Sequence, residues 1–431
     1  MRKKNSRPLL WVRLDNAAKI YPAASRKNWR NIFRQSVTLT EDVNTAVLQA
    51  ALDVTVERFP SIAARLRKGL FWYYLQQVEA APPIREEYSY PLVHMTKREM
   101  RGCAFRVIVY RNRIAVEFFH SLTDGTGAMV FLKTLTAEYL ERRYGICIPC
   151  RDGVLDRREK PSAEELEDCF PKHAGPVPAS RRDTDAWRMS GEPQRDGFLH
   201  LTCFRVDVKA ALDLAHSHNA TMTAFFGAAI MKALQELQNE KNPHVSRRKR
   251  IKLFIPVNLR PLFPSKSLRN FALYTVAEAD PRLGDYSFGE LCAVVRHKLG
   301  TEVTAKRMGC LIATNVNDEK NLLVRLIPLP IKNAVMRLVF DNVGEKKSCM
   351  SMSNMGRIKV PEEMERYILR FDFILGVQAA APYNCGLLTY GDTVYINFIR
   401  DIREPELERH FYAVLRELGL SATVESNRNE R

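Results

Sequence analysis

Nowhere do the 431 residues run for about 18 positions without a polar break, so the sequence gives no spanning helix. The N-terminus, MRKKNSRPLLWVRLDNAAK, is basic but lacks the apolar core of a secretory signal. Together these absences predict a cytosolic (cytoplasmic) chain. A disulfide framework is also missing: nine cysteines, an odd number, scatter from Cys103 to Cys385, as expected of a reduced compartment. The one C-x-x-C pair, Cys147 and Cys150 in GICIPC, has no second pair and no nearby histidine, and no thioredoxin-like pattern surrounds it. No metal site is expected. Short-period repeats are absent as well.

The chain does have length, apolar content and charge. Its length predicts two lobes of about 150 to 200 residues each. With 46% hydrophobic and 27% charged residues it falls among globular proteins. The formal net charge of +17 favours polyanions: nucleic acid, an acidic membrane face, a phosphorylated cofactor or an acidic carrier protein. No zinc pattern or nucleic-acid recognition module accompanies that charge, so nucleic acid is not the expected partner.

From Thr40, with Glu41 and Asp42 in the first turn, TEDVNTAVLQAALDVTVERF reads as an amphipathic helix closed by Pro60, its apolar face being Val43, Val47, Ala50, Ala51 and Val54. LFWYYLQQV reads as a strand. CAFRVIVY-RNR-IAVEFFH reads as a hairpin turning at Asn112, with His120 at the end of its second strand. Apolar residues at helical spacing then run from Ala128 to Tyr139 and stop at Gly145. Residues 146–198, rich in proline and charge, read as a linker between an N-terminal lobe, 1–145, and a C-terminal lobe, 199–431. The second lobe is predicted to hold LHLTCFRVDV, KLFIPVNL, CMSMSN, YILRFDFILGV, GLLTY and TVYINF as strands, the last two turning at Gly391-Asp392. It also holds two helices after Asp207, the second capped by Thr221 or Thr223, and a closing helix in EPELERHFYAVLRELGL. Strands alternating with helices, plus hairpins, give an α/β (mixed α+β) fold with mixed sheets.

The chemistry centres on VEFFHSLTDGTGAM. A histidine near its ordinary pKa can take the proton of a hydroxyl, amine or thiol as that group attacks a carbonyl, provided that the ring is fixed and the loop open. Here the strand end fixes the backbone of His120, Gly125 and Gly127 permit a tight turn, and Asp124 can hold the loop or tune the ring. The plain alternative is a histidine that only closes a strand.

FFHSLTDGTG resembles the HHxxxDG or HxxxDG signature of the CoA-dependent acyltransferase superfamily, which includes chloramphenicol acetyltransferase, condensation domains, BAHD acyltransferases and alcohol acetyltransferase-like proteins. The resemblance implies His120 as general base, with Phe119 in the first-histidine position. It implies that Asp124 pairs with Arg260 of IPVNLRPLFPSKSLRNF as a structural clamp, and that Ser351 or Ser353 of SMSNMGRI donates to the oxyanion of a tetrahedral intermediate. DFILG, Asp372 to Gly376, resembles the DFGWG segment of BAHD enzymes but lacks its middle glycine and tryptophan, which argues against that branch. The implied fold is two chloramphenicol-acetyltransferase-like lobes with a tunnel between them, and no bound cofactor is required.

An acyl-CoA would be the co-substrate. Arg247, Arg248, Lys249 and Arg250 in SRRKRIK, with Lys266 and Arg269 in SKSLRN, are candidate partners for its phosphates or for an acyl carrier protein. The apolar stretch NLLVRLIPLPIKNAVMRLVF carries Arg325, Lys332 and Arg337, and Pro328 and Pro330 prevent it from being one spanning helix. It is read as lobe structure compatible with contact at a membrane surface. Three functions follow: acyl transfer from CoA to an alcohol or amine, condensation using carrier-bound thioesters, and non-catalytic binding on the same fold. The sequence leaves the small-molecule acceptor and the oligomeric state open.

Overall fold

The computed structural model of the chain describes residues 9–24, 31–178, 184–194, 197–320, 326–339, 348–378 and 381–427. The expected hairpin forms between Phe105–Tyr110 and Arg113–Phe119, with Arg111 taking the left-handed conformation (φ 50°) at the turn before Asn112. These strands sit in a five-stranded sheet ordered Ile368–Ile374, Ile32–Leu39, Arg113–Phe119, Phe105–Tyr110, Arg85–Glu86. A second sheet has seven strands, ordered Ala272–Ala279, Ile251–Asn258, Met350–Arg357, Tyr383–Tyr390, Thr393–Arg400, His200–Asp207, Ala422–Ser426. A three-stranded sheet of Trp11–Arg13, Tyr73–Gln77 and Ala64–Lys68 completes the set.

Two large apolar cores accompany the two larger sheets. One joins the first sheet to the helices Thr45–Arg58 and Gly125–Tyr144 through Leu48, Leu52, Phe118, Phe131 and Leu135. The other joins the seven-stranded sheet to Met222–Lys241, Phe288–Glu302 and Glu406–Glu417 through Phe225, Leu234, Val295, Phe398 and Phe411. Both halves are thus sheet-and-helix layers, as the alternation of elements predicts.

The first helix departs from the sequence reading. It begins at Thr45 and not at Thr40, because Asn44 accepts from the backbone N–H groups of Ala46 and Val47 and so caps it. Its buried face is Leu48, Ala51, Leu52, Thr55 and Val56, so of the expected face only Ala51 is fully buried; Val43, Val47 and Ala50 are half-buried and Val54 likewise. The larger leucines, spaced four apart, outcompete the valines for the core. Other boundaries match closely: Gly125–Tyr144 ends on Gly145 in the left-handed conformation (φ 67°), and Thr221, not Thr223, caps Met222–Lys241.

Residues 146–198 carry only two short turns of 3-10 helix among the described residues, Glu164–Leu166 and Phe170–His173. They are not idle: Cys169 and Phe170 pack with Leu259, Phe271, Met308 and Ile312 in a third, smaller apolar cluster. The strand Ile368–Ile374 also departs from expectation. It lies within the segment assigned to the C-terminal lobe but pairs antiparallel with Ile32–Leu39, at the edge of the N-terminal sheet. It passes close to the larger sheet on the way, since a Cβ on Gly386 would lie 2.3 Å from the Phe373 carbonyl oxygen. The helices Phe288–Glu302 and Ala305–Lys320 and the final strand Ala422–Ser426 were not foreseen.

Candidate active site

The hairpin strand Arg113–Phe119 delivers His120 to the end of the five-stranded sheet, where its backbone N–H donates to the Asn31 carbonyl at 2.8 Å. Phe119, one residue earlier, points into the core and is fully buried. The alternation of the strand therefore puts His120 on the opposite side. Its ring lies between two aromatic rings, stacked on Tyr21 with centroids 4.4 Å apart and tilted against Phe33 at 4.9 Å.

The orientation of the imidazole follows from a chain of partners. His120 Nδ1 is 3.2 Å from Asn270 Oδ1. The Asn270 amide nitrogen donates to Asp15 Oδ2 at 3.2 Å, and the Asn270 backbone N–H points to the same oxygen at 3.3 Å. With the amide nitrogen turned to a carboxylate, the carbonyl oxygen of Asn270 must face the ring, so Nδ1 carries the proton and Nε2 keeps its lone pair. Asp15 is buried, which pushes its pKa up; Arg269, with Nε 3.7 Å from Oδ2, and donors from Asn270 and Ala18 pull it back. Burial lowers the pKa of His120, against smaller opposing contributions from a backbone hydrogen bond, Asp124 and Asn270. A half-buried ring held below the ordinary histidine value is neutral at pH 7, the state that a base requires.

The loop after His120 is pinned at each polar residue. Ser121 Oγ donates to the Ala18 carbonyl at 3.1 Å, and Thr123 Oγ1 donates to the Leu268 carbonyl at 2.6 Å. Asp124 makes three separate contacts: Oδ1 accepts from the Gly127 N–H at 3.0 Å, capping the helix, while Oδ2 accepts from Arg260 Nη1 at 2.7 Å and from the Phe271 N–H at 2.8 Å. Arg260 spends its other donors on the Ser267 and Arg269 carbonyls and on Asn258. Asp124 and Arg260, 136 residues apart, therefore tie the histidine loop to the loop connecting Ile251–Asn258 to Ala272–Ala279. Asp124 does not hydrogen-bond His120, so it acts on the ring through charge alone.

Two glycines mark close approaches. A Cβ at Gly127 would sit 2.3 Å from the Leu268 carbonyl, whereas one at Gly125 would meet the flexible end of Met355 at 2.7 Å. The Met350–Arg357 strand thus reaches the motif helix with one of its faces. Ser351 and Ser353 lie four and two residues before Met355, on the face away from the core of the seven-stranded sheet, which Met350 and Met352 fill. Ser351 is buried and its Oγ accepts from Gln378 at 3.2 Å; Ser353 is half-buried.

The basic candidates are dispersed. Arg247 to Arg250 precede the Ile251–Asn258 strand, and Arg260 follows it, so the two groups are separated by eight residues of strand, roughly 25 Å. Arg248 pairs with Asp285 at 2.8 Å and Arg250 with Glu278 at 2.8 Å, leaving Arg247 and Lys249 exposed. Lys266 is exposed beside Glu164. Arg269 is buried against Asp15 and donates to the Leu166 carbonyl, so it supports the histidine's partner chain and has no free face for a phosphate. Sequence reasoning missed Asn270, Asp15 and Tyr21. Asn270 lay within a quoted segment, next to Arg269, but nothing local distinguishes it from a loop asparagine; Asp15 and Tyr21 belong to no motif.

No model of a known protein family matches the chain, and no curated protein matches it at the level of sequence. Solved structures do. TRI101 of F. graminearum, in complex with coenzyme A and T-2 mycotoxin, aligns at a TM-score of 0.61 over 96% of this chain and 99% of that one, with 10% identity. The chain has the acyltransferase and condensation-domain fold. Polyketide synthase associated protein 5 from Mycobacterium tuberculosis aligns at 0.59 over 95% of this chain and 98% of its own, with 15% identity. The first condensation domain of the calcium-dependent antibiotic synthetase, bound to a substrate analogue, aligns at 0.58 over 95% of both chains, with 13% identity. Such alignments span both halves, so the two-lobed architecture is common to all of them.

Proposed function

We propose that the protein is an acyltransferase that moves an acyl group from a CoA thioester to an alcohol or amine, with His120 as general base. The observation that carries this reading is the imidazole itself: a half-buried ring whose Nδ1 is committed to Asn270, which leaves Nε2 as the basic position. Nε2 takes the proton of the acceptor as its oxygen or nitrogen attacks the thioester carbonyl. The tetrahedral intermediate then collapses, the carbon–sulfur bond breaks, and the imidazolium returns the proton to the departing thiolate. The products are an ester or amide and free CoA, with no acyl-enzyme.

Asp124 and Arg260 serve as the clamp that holds the loop and are not proton carriers. Ser351 and Ser353 are the candidates for oxyanion donation; Gln378 donates to Ser351 Oγ, which leaves the Ser351 O–H free to be given to an oxyanion. The basic residues Arg247, Lys249 and Lys266 remain candidates for electrostatic contact with CoA or a carrier protein. A carrier-bound thioester would use the same base, and a binding protein would keep the fold without turnover.

Purified protein incubated with mixed acyl-CoAs and a panel of alcohols and amines should yield an acylated product by mass spectrometry. Product from acyl carrier protein alone would select the condensation reading. Full activity in His120→Ala would remove His120 as the base.

A further inference from the structure

Among the described residues, an exposed apolar helix face lies outside the site. The helix Leu329–Val339 turns Leu329 and Lys332 inward: the Leu329 N–H donates to the Leu70 carbonyl at 3.0 Å, and the Lys332 ammonium sits 3.4 Å from the centre of the Trp72 ring and donates to the Phe71 carbonyl at 3.1 Å. Pro330 is accommodated because it falls in the first turn, where its missing N–H has no helical partner to lose. The opposite face carries Ile331, Val335 and Leu338, at i, i+4 and i+7, each about half exposed or more. Leu326 is 62% exposed just before the helix, and Leu70, at the tip of the adjoining hairpin, is 72% exposed. Phe71 is partly open beside it.

The charges on the patch's own two segments have one sign, and beside them Glu319 is paired with Lys19, whose ammonium also faces the Trp72 ring. Residues 326–339 contain Lys332 and Arg337 and no acid, and residues 64–78 contain Arg65, Arg67 and Lys68 and no acid. Lys332 is occupied by Trp72, but Arg337 and Lys68 are exposed. The whole chain carries +17. Apolar side chains on a helix and a neighbouring loop tip, carrying cations and no acid on either segment, match what an anionic bilayer surface selects.

We propose that this helix and hairpin tip form a docking surface for an anionic lipid bilayer. The apolar residues enter the headgroup boundary, and Arg337 and Lys68 meet the lipid phosphates. The inner face of the same helix packs on Ile20–Ala24, the segment whose Tyr21 stacks on His120, so the docked face adjoins the site. Resting on the acyl-transfer reading, this makes a lipophilic acceptor drawn from the bilayer the fitting substrate class.

Cosedimentation of the full chain with phosphatidylcholine vesicles, and with vesicles containing roughly one quarter phosphatidylglycerol, tests the docking without reference to turnover. Binding is expected only to the anionic vesicles, weakening as salt is added. The double variant Ile331→Glu with Val335→Glu should lose about tenfold or more in affinity, and Arg337→Glu about fivefold. Both substitute exposed residues, and unchanged thermal melts would show that the fold is retained. Equal binding to neutral vesicles, or undiminished binding by the double variant, would overturn the proposal. So would a chain that ignores vesicles but self-associates through this face, with the double variant monomeric. Vesicle binding without any acyl-transfer product would leave the docking surface standing and sink only the proposed activity.

Discussion

At the residue scale the site depends on a single tautomer. Asp15 turns the amide of Asn270, and Asn270 turns the ring of His120, so a residue from the N-terminal segment sets which nitrogen is basic through a partner 255 residues away. Because burial lowers the His120 pKa below its ordinary value, the acid limb of the activity profile, where the base is protonated, should lie below that of an ordinary histidine. Asn270→Ala removes an acceptor that favours the charged ring. Its kcat should drop, since the ring is no longer held, and the acid limb of the profile should move to still lower pH. A purely structural role would lower activity without moving that limb. His120→Ala should reduce kcat by about 10² to 10⁴ with the melting temperature little changed. Of these residues, His120, Asp124 and Arg260 were legible because short linear motifs carry them. Asn270 and Asp15 were not, because their roles exist only where two distant loops meet.

At the scale of elements, packing and capping decide where the chain turns. Asp124 caps the motif helix and pairs with Arg260 in one carboxylate, so Asp124→Ala should cost about 3 to 5 kcal/mol by chemical denaturation, leaving a largely buried guanidinium unpaired. Glu117 is the corresponding point within the sheet. Burial would raise its pKa, but Arg34 and Arg106 outweigh that and hold it below the ordinary carboxylate value; Arg106 Nε lies 2.7 Å from one oxygen and Arg34 Nε 2.8 Å from the other. Glu117→Ala should be strongly destabilising, and its stabilising contribution in the native protein should be lost as pH falls through the depressed pKa. The two motif glycines should separate cleanly. Gly127→Ala drives a methyl into the Leu268 backbone and should destabilise by about 1 to 3 kcal/mol or more, whereas Met355 can swing away from Gly125→Ala. The hairpin and the motif helix were legible from alternation and from Gly145. The register of the Thr45–Arg58 helix was not, because its valines and leucines both recur at helical spacing and only the facing helix chooses between them.

At the scale of the molecule, the two halves are joined by more than a linker. The Asp124–Arg260 pair fastens loop to loop, and the Ile368–Ile374 strand completes the N-terminal sheet from within the second half of the sequence. Phe371→Ala, at a fully buried position in that strand, should cost about 3 to 5 kcal/mol and speed hydrogen exchange in Ile32–Leu39 as well as in its own strand. Unchanged exchange in Ile32–Leu39 would show that this strand does not stabilise the sheet it joins. The strand itself was readable in the sequence, but its sheet was not, because alternation reports which residues are buried and not which edge a strand will find.

That borrowed strand also sets an order of events during synthesis. Ile32–Leu39 leaves the ribosome early, and its partner begins at Ile368, 329 residues after Leu39. At about 5 to 20 residues per second the first sheet waits roughly 15 to 65 seconds with one side unpaired. Through that interval an eight-residue, mostly buried strand offers open backbone donors and acceptors to any other nascent chain. The N-terminal half is therefore the part of the protein most in need of chaperone cover, and a fragment ending before Ile368 would carry that vulnerable edge permanently.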